Sequence, residues 1–316
     1  MKVIRAFLKE GVVFICLILL VVIFSLANSN FLSSTSIITI LRQASITGIL
    51  SVGLTHIMLV GGIDLSLAAM ISFTGVFCGV LTVNMDVPVL WAILLCLAAT
   101  SLMGLFSGTV IHYTKMPPLI ATMAMMNIVQ GLTYIVNDGL PVYGIPDSLR
   151  TIGQGMLFYI PISVIIWAVC CLIGLFFLVK TKLGRNIYAV GSNEDAARLS
   201  GIHVYKVKAL AYTLCGLYAG IAGIVMIGRL NSGQTTAGGT LYLDSLTACV
   251  VGGISTAGGE GRVTGIIVGV LIMAILANGM VSIGMGAYWQ LVCKGLLMMF
   301  AVGFDSLQRS KQANKA

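Results

Sequence analysis

The sequence predicts an all-α integral membrane protein with about ten transmembrane helices. Of its 316 residues, 58% are hydrophobic and only 9% are charged. The mean hydropathy is +1.04, and so little polar surface cannot cover a water-soluble globule of this length. The apolar residues also form runs of about 20, the length that crosses the hydrocarbon core of a bilayer. We therefore treat residues 1–316 as one transmembrane domain.

Ten apolar runs follow one another along the chain, separated by polar segments. The eighth run is short, and all the ends are approximate, because sequence patterns locate helix ends less reliably than helices. The predicted spans are 11–27, 41–60, 66–84, 88–112, 118–136, 157–179, 209–228, 241–257, 263–283 and 288–305.

Lysine and arginine residues set the predicted orientation. Of the 18, fourteen fall in segments on the same side as the N-terminus, three fall on the opposite side, and Lys294 lies within the last span. Positively charged short loops are retained in the cytoplasm, so both termini are predicted to be cytoplasmic. The net charge of +8 follows from this topology. The cations form no patch with interleaved aromatic residues, so we predict no nucleic-acid partner.

Two loops are longer than the others. The outer loop, residues 137–156, is rich in glycine and proline and is predicted to be an ordered, turn-rich surface or a partly re-entrant segment. The inner loop, residues 180–208, contains a capping signal followed by Ala196 and Ala197. This pattern predicts a short cytoplasmic helix over residues 192–199 that ends at Gly201.

Several spans contain pairs of glycines four residues apart, such as Gly104 with Gly108 and Gly216 with Gly220. Small residues one turn apart allow two helices to approach closely in lipid. The spacing indicates tight packing within the subunit, with a dimer face as the alternative.

The sequence excludes several kinds of catalytic site. It contains no Gly-Lys dipeptide, so a Walker A loop is excluded, and the chain is not predicted to be an enzyme. All eight cysteines fall inside apolar runs, and the three histidines lack metal-ligand spacing. We therefore predict neither a metal site nor a cofactor.

Ionisable residues within or beside membrane spans are costly there and are candidates for a functional role. Asp64 follows two glycines, so it is predicted either to cap the third span or to take part in gating. Asp244 is predicted to cap the eighth span, with a gating role as the alternative. Lys294 follows Tyr288 and Trp289, so it fits either an interfacial lysine or a residue of a transport path.

Neutral polar residues form a second set of candidates. Asn127, Gln130 and Tyr134 are spaced to share one face of the fifth span, and Asn278 lies in the ninth. Hydroxyl and amide groups could pass a neutral polyol by exchanging hydrogen bonds with it. Polar contacts between helices would explain the same pattern, so both interpretations stay open.

Four blocks of sequence resemble the ribose-type permease family of ABC transporters. They are VGLTHIMLVGGIDLSLAAM, PPLIATMAMMNIVQGL, LGRNIYAVGSNEDAARLSGIHVYKVKALAYTLCGLYAGIAGI and TLYLDSLTACVVGGISTAGGEGRVTGIIVGVLIM. They occur in the family's order, and the resemblance covers roughly residues 37–305. It implies an all-helical permease in the bacterial inner membrane that carries ribose, xylose, allose or a similar monosaccharide.

The resemblance also implies partners. A periplasmic sugar-binding protein would deliver the substrate, a second permease subunit would complete the path, and a cytoplasmic ABC ATPase would drive transport. The inner loop is expected to dock on the ATPase through Gly191, Asn193, Glu194, Ala196, Ala197 and Gly201. This loop resembles the Glu-Ala-Ala coupling motif of other importers, but Asp195 separates Glu194 from the two alanines. The alternatives are a branched-chain amino-acid ABC permease of similar architecture and an ion-coupled secondary transporter.

Overall fold

A computed structural model of the protein describes the backbone of residues 2–313, and the side chains of residues 11, 13–303 and 305–307. The described chain is a helical bundle with one small hairpin, β1 (Met156–Leu157) paired antiparallel with β2 (Ile160–Pro161). The helices are α1 (Lys2–Ala27), α2 (Ser34–Leu59), α3 (Leu67–Gly79, continued by a π-helical turn Val80–Asn84), α4 (Val89–Thr114), α5 (Pro118–Val136), α6 (Asp147–Gln154), α7 (Ile162–Lys180), α8 (Lys182–Ser192), α9 (Glu194–Leu199), α10 (Val204–Leu230), α11 (Leu241–Val251), α12 (Val263–Ser282) and α13 (Ala287–Ala313).

The helix ends follow from local chemistry. Ser33 caps α2 by accepting a hydrogen bond from the backbone N–H of Ser36 (3.3 Å). Pro118 opens α5, where a missing N–H costs nothing. Lys115 after α4 and Asn231 after α10 both have a φ of 53°, and this left-handed conformation turns the chain out of each helix.

The long helices run between two ends of the bundle. We call the end that carries residues 137–156 the distal end, and the end that carries residues 180–208 the proximal end. α7 joins these two loops directly. α2 runs from distal to proximal: Arg42, near its start, donates a hydrogen bond to the carbonyl of Gln154, and the carbonyl of Leu59, at its end, accepts one from Gly259 (2.9 Å).

Among the described residues, eight helices are long and apolar enough to cross a membrane. They correspond to eight of the ten predicted spans, and the all-helical membrane fold is confirmed at that level. The first predicted span falls in α1, of which Val13–Ala27 is a shorter apolar helix. The eighth prediction, 241–257, was too long. α11 ends at Val251 because the chain turns at Gly253, whose φ of +87° is left-handed.

The glycine pairs pack helices within the subunit. Gly104 and Gly108 of α4 lie against Tyr212 of α10, while Gly216 and Gly220 of α10 lie against Thr100 of α4. A methyl group at any of these four glycines would meet the neighbouring helix at 3.0 Å or less. Close packing within the subunit, the first interpretation of these pairs, therefore explains them, and it places α10 in the core beside α2, α3 and α4.

Candidate functional site

The predicted short helix of the inner loop is present at the proximal end as α9. The side-chain oxygen of Asn193 accepts a hydrogen bond from the backbone N–H of Ala196 (2.9 Å), so Asn193 is the N-cap. Ser192 is the last residue of the preceding helix, one residue earlier than the cap. Gly201 ends the motif as predicted, with a φ of +80° that favours glycine.

Charged contacts hold α9 on the bundle. Glu194 accepts a hydrogen bond from the ammonium of Lys208 on α10 (2.6 Å), and the Lys208 side chain is only 19% exposed. A guanidinium nitrogen of Arg198 lies 3.6 Å from Oε1 of Glu194 and 3.4 Å from Oδ1 of Asp195. These two pairs are largely exposed, so each stabilises α9 by at most about 1 kcal/mol. The Glu194–Lys208 pair is the contact that fixes the orientation of α9.

The residues predicted to face a partner differ in exposure. Asn193 and Ala196 are exposed, whereas Ala197 is buried, with 4% of its surface accessible. Ala197 thus packs α9 against its own chain. Sequence reasoning missed Leu199, which is 90% exposed at the end of α9. Leu199 adds a large apolar side chain to the exposed end of this capped helix.

Gly191 fixes the base of this loop. A side chain there would overlap the carbonyl oxygen of Leu59 and the backbone nitrogen of Gly259. The end of α8 therefore touches both the end of α2 and the loop after α11. Movement of the inner loop would be transmitted directly to these two segments.

The predicted polar face of α5 divides into two parts. Gln130 points into the chain and donates a hydrogen bond to the carbonyl of Thr235 (2.9 Å). Asn127 and Tyr134 are exposed, Tyr134 by 44%, next to apolar residues such as Ile128 and Ile135. An exposed amide is costly against lipid tails, so this face of α5 must be covered by protein or by water.

Asn278 of α12 contributes to packing. Its side-chain oxygen accepts a hydrogen bond from the hydroxyl of Ser36 on α2 (3.1 Å). The contact joins two helices near the distal end. Of the two interpretations left open for the neutral polar residues, the structure favours an interhelical contact for Asn278.

Asp244 and Lys294 form an ion pair between α11 and α13. The ammonium nitrogen of Lys294 lies 2.7 Å from Oδ2 of Asp244, and the two side chains are 18% and 7% exposed. The prediction that Asp244 caps α11 was wrong: the helix begins three residues earlier, at Leu241, and Asp244 lies in its first turn. Lys294 points into the bundle towards this carboxylate, so it is not an interfacial lysine.

Asp64 is buried between α2 and α3. Its Oδ1 accepts hydrogen bonds from the backbone N–H (2.8 Å) and the hydroxyl (2.5 Å) of Ser66. The N-cap position of α3 is Ser66, so Asp64 lies two residues before the cap, and its carboxylate accepts the N–H of the cap residue itself. Burial raises the pKa of Asp64 to about 6, although the two bonds from Ser66 lower it in part. Oδ2 of Asp64 has no hydrogen-bond partner among the described residues.

Comparison with known proteins identifies the family. The family model for the permease component of branched-chain amino acid transport systems matches residues 36–302. The ribose import permease protein RbsC of Haemophilus influenzae is 36% identical over 310 residues, which cover 97% of this chain and 96% of that protein. The chain belongs to the ribose-type permease family of ABC transporters. The resemblance stated from four sequence blocks is thereby confirmed.

Other relatives of this permease come from different bacteria. The ribose import permease of Bacillus subtilis is 39% identical and covers 92% of this chain and 91% of its own length. The galactose/methyl galactoside import permease MglC of Escherichia coli is 31% identical, and the matched region covers 97% of this chain and 96% of MglC. No solved structure matches the permease. In the described part of the permease, no three metal-binding side chains come together.

Proposed function

We propose that this permease is the membrane-spanning subunit of an ATP-driven, binding-protein-dependent monosaccharide importer of the bacterial inner membrane. The observation that carries the proposal is α9, a capped helix with an exposed Leu199 at its end, held on α10 by the Glu194–Lys208 pair. A permease that has no nucleotide-binding motif cannot hydrolyse ATP, so the ATPase must drive its conformational change through a rigid contact between the two proteins. α9 has the geometry of such a contact.

In this proposal the proximal end is cytoplasmic and receives an ABC ATPase. The excess of lysine and arginine in the predicted inner segments supports this orientation. The irregular segment 231–240 and α11 together form an eighth crossing, and α1 forms the first, which gives ten crossings with both termini in the cytoplasm. Asn193, Ala196 and Leu199 would contact the ATPase, while Glu194 and Ala197 hold α9 in place, and Gly191 and Gly201 provide close packing and a turn.

A second permease subunit would cover the exposed face of α5. Asn127 and Tyr134 on this face, together with Gln130, would then border a path between two subunits. Uncharged amide and hydroxyl groups suit a sugar, because they exchange hydrogen bonds with it without trapping it by charge. The relatives RbsC, MglC and the xylose permease XylH are named as sugar permeases, which supports a monosaccharide over an amino acid.

The distal end would receive the periplasmic binding protein. Phe158 and Tyr159 form the turn between β1 and β2 and are 88% and 95% exposed. Both have positive φ values, +46° and +66°, so a tight turn holds the two rings away from the bundle. Exposed aromatic side chains of this kind are frequent anchors of protein interfaces.

Transport by the purified subunit tests the proposal. The permease would be reconstituted in liposomes with its ATPase and binding protein, and uptake of labelled ribose, xylose, galactose and leucine would be measured with ATP inside or outside. We expect sugar uptake that requires the ATPase and ATP. Uptake of leucine alone would favour the amino-acid permease, and uptake driven by an ion gradient without the ATPase would show a secondary transporter.

A further inference from the structure

The segment between α10 and α11 is irregular and lies inside the bundle. Residues 231–240, with the sequence NSGQTTAGGT, contain no regular helix. Gly233 packs against the backbone of Gly75 on α3, and the backbone N–H of Gly238 donates to the hydroxyl of Ser72 (2.9 Å). Gly238 also packs against the backbone of Ala68. Segment 231–240 therefore descends along α3, from Gly75 towards its first turn.

Its neighbours show how deep the segment lies. Gly75 is near the middle of the 18-residue span Leu67–Asn84. Ser245 of α11 lies beside Thr47 and Ser51 in the middle turns of α2. At about 1.5 Å per residue, Leu241 is one turn distal to Ser245 and roughly 14 Å from the first residue of α2, close to the level of Arg42. The depth of the segment is therefore set by α3: contacts with Gly75, Ser72 and Ala68 place residues 233–238 beside the membrane span Leu67–Asn84.

Part of this segment is nevertheless exposed on the subunit. Thr236 and Gly239 are exposed, while Gln234, Thr235 and Thr240 are partly buried. Non-helical backbone at membrane depth is not tolerated against lipid; it occurs where protein or a water-filled cavity covers it. Gln130 of α5 donates to the carbonyl of Thr235, so the exposed part adjoins the polar face of α5.

The chemistry of the segment is that of a neutral hydrogen-bonding surface. It contains no charged residue and offers the hydroxyls of Thr235, Thr236 and Thr240 and the amide of Gln234. We propose that segment 231–240 lines the transport path beside α5 and binds a neutral polyhydroxyl solute as it passes, with Thr236 as a direct contact. This inference rests on the proposed function and adds a specific substrate-binding segment to it.

Chemical labelling tests whether the segment faces water. Thr236→Cys, Leu172→Cys and Arg150→Cys would each be treated with a charged methanethiosulfonate in vesicles that contain the assembled transporter, and modification of that residue would be measured by mass spectrometry. Leu172, 66% exposed on α7, is the lipid-facing control, and Arg150, exposed in the outer loop, is the water-facing control. We expect Thr236→Cys to react about ten-fold faster than Leu172→Cys, because charged reagents do not enter lipid tails. Equal slow rates would overturn the proposal.

Uptake kinetics test contact with the solute. Thr236→Val keeps the side-chain shape and removes the hydroxyl, so KM for the transported sugar should rise about five-fold, the effect of one neutral hydrogen bond. Thr39→Val is the matched control, since Thr39 is exposed on α2 and bonds only to the carbonyl of Thr35. An unchanged KM in Thr236→Val would contradict contact at Thr236. Failure of the parent permease to take up any sugar would instead refute the proposed function.

Discussion

The ion pair between Asp244 and Lys294 gives the sharpest prediction of stability. Replacing Lys294 with methionine keeps most of the side-chain volume and removes the charge. Asp244, which is 7% exposed, would then be a buried carboxylate without its cation. We expect the variant to be much less stable than the parent permease, because α11 would lose its link to α13.

The size of the effect follows from the burial of both partners. Removing one partner of a buried ion pair costs about 3–5 kcal/mol, whereas replacing both with apolar groups is often neutral or stabilising. Lys294→Met should therefore lower the free energy of unfolding by about 3–5 kcal/mol, and the double variant Asp244→Asn/Lys294→Met should recover most of that loss. Asp244→Asn alone should cost less, since Lys294 is 18% exposed and its long side chain can turn towards water.

Unfolding in detergent with increasing SDS, followed by tryptophan fluorescence, measures these changes in a double-mutant cycle. Arg150→Met is the control, because Arg150 is exposed and donates only to Gln154; its effect should be within about 0.5 kcal/mol. If the effects of the two single variants simply add in the double variant, the pair contributes no coupling energy, and the argument from burial is refuted.

Four further predictions concern topology, coupling, the path and pH. Reporter fusions after Lys182 and at the C-terminus should report cytoplasm and one near Asp147 the outer side; a periplasmic C-terminus would overturn ten crossings. Gly201→Val should abolish uptake with normal membrane insertion, because valine strains a φ of +80°, whereas normal uptake would argue against α9 as the coupling element. Gln130→Ala should lower sugar uptake at unchanged membrane abundance, and loss of folded protein would instead support a packing role. The raised pKa of Asp64, about 6 against an ordinary value of 3.8, means that the folded state binds the proton more tightly, so stability should fall as pH rises from about 4 to about 6. Asp64→Asn should flatten this part of the stability profile, and an unchanged profile would contradict the buried carboxyl.

The lengths of the apolar runs were enough to predict most of the membrane spans, because a helix in lipid satisfies its own backbone hydrogen bonds and needs only an apolar surface. The same reasoning failed around α11. The composition of segment 231–240 is that of an exposed loop, yet the backbone N–H of Gly238 and the carbonyl of Thr235 bond to Ser72 and Gln130 within the bundle. These partners lie more than 100 residues away in sequence, and no local pattern indicates them.

The candidate sites show the same division between local and distant information. The cap, the small residues and the terminal glycine of α9 are local signals, so the position of this helix could be predicted. Which face of α9 packs on α10 depends on Lys208, and this explains why Ala197 was expected at an outer surface but is buried. Asp244 and Lys294 were both singled out, but their pairing across 50 residues required the structure.

The eighth crossing shows how these features act together. An 11-residue helix spans only about half of the hydrocarbon core, so α11 cannot hold its depth by length alone. Contacts with other helices fix it instead: Ser72 and Gln130 hold the irregular segment above it, Lys294 holds Asp244 in its first turn, and Ser245 bonds to α2. Gly252, at its other end, packs against Gly265 of α12. Because the loop after α11 also touches Gly191 beneath α9, a displacement of α9 would reach segment 231–240 through one short, rigid helix.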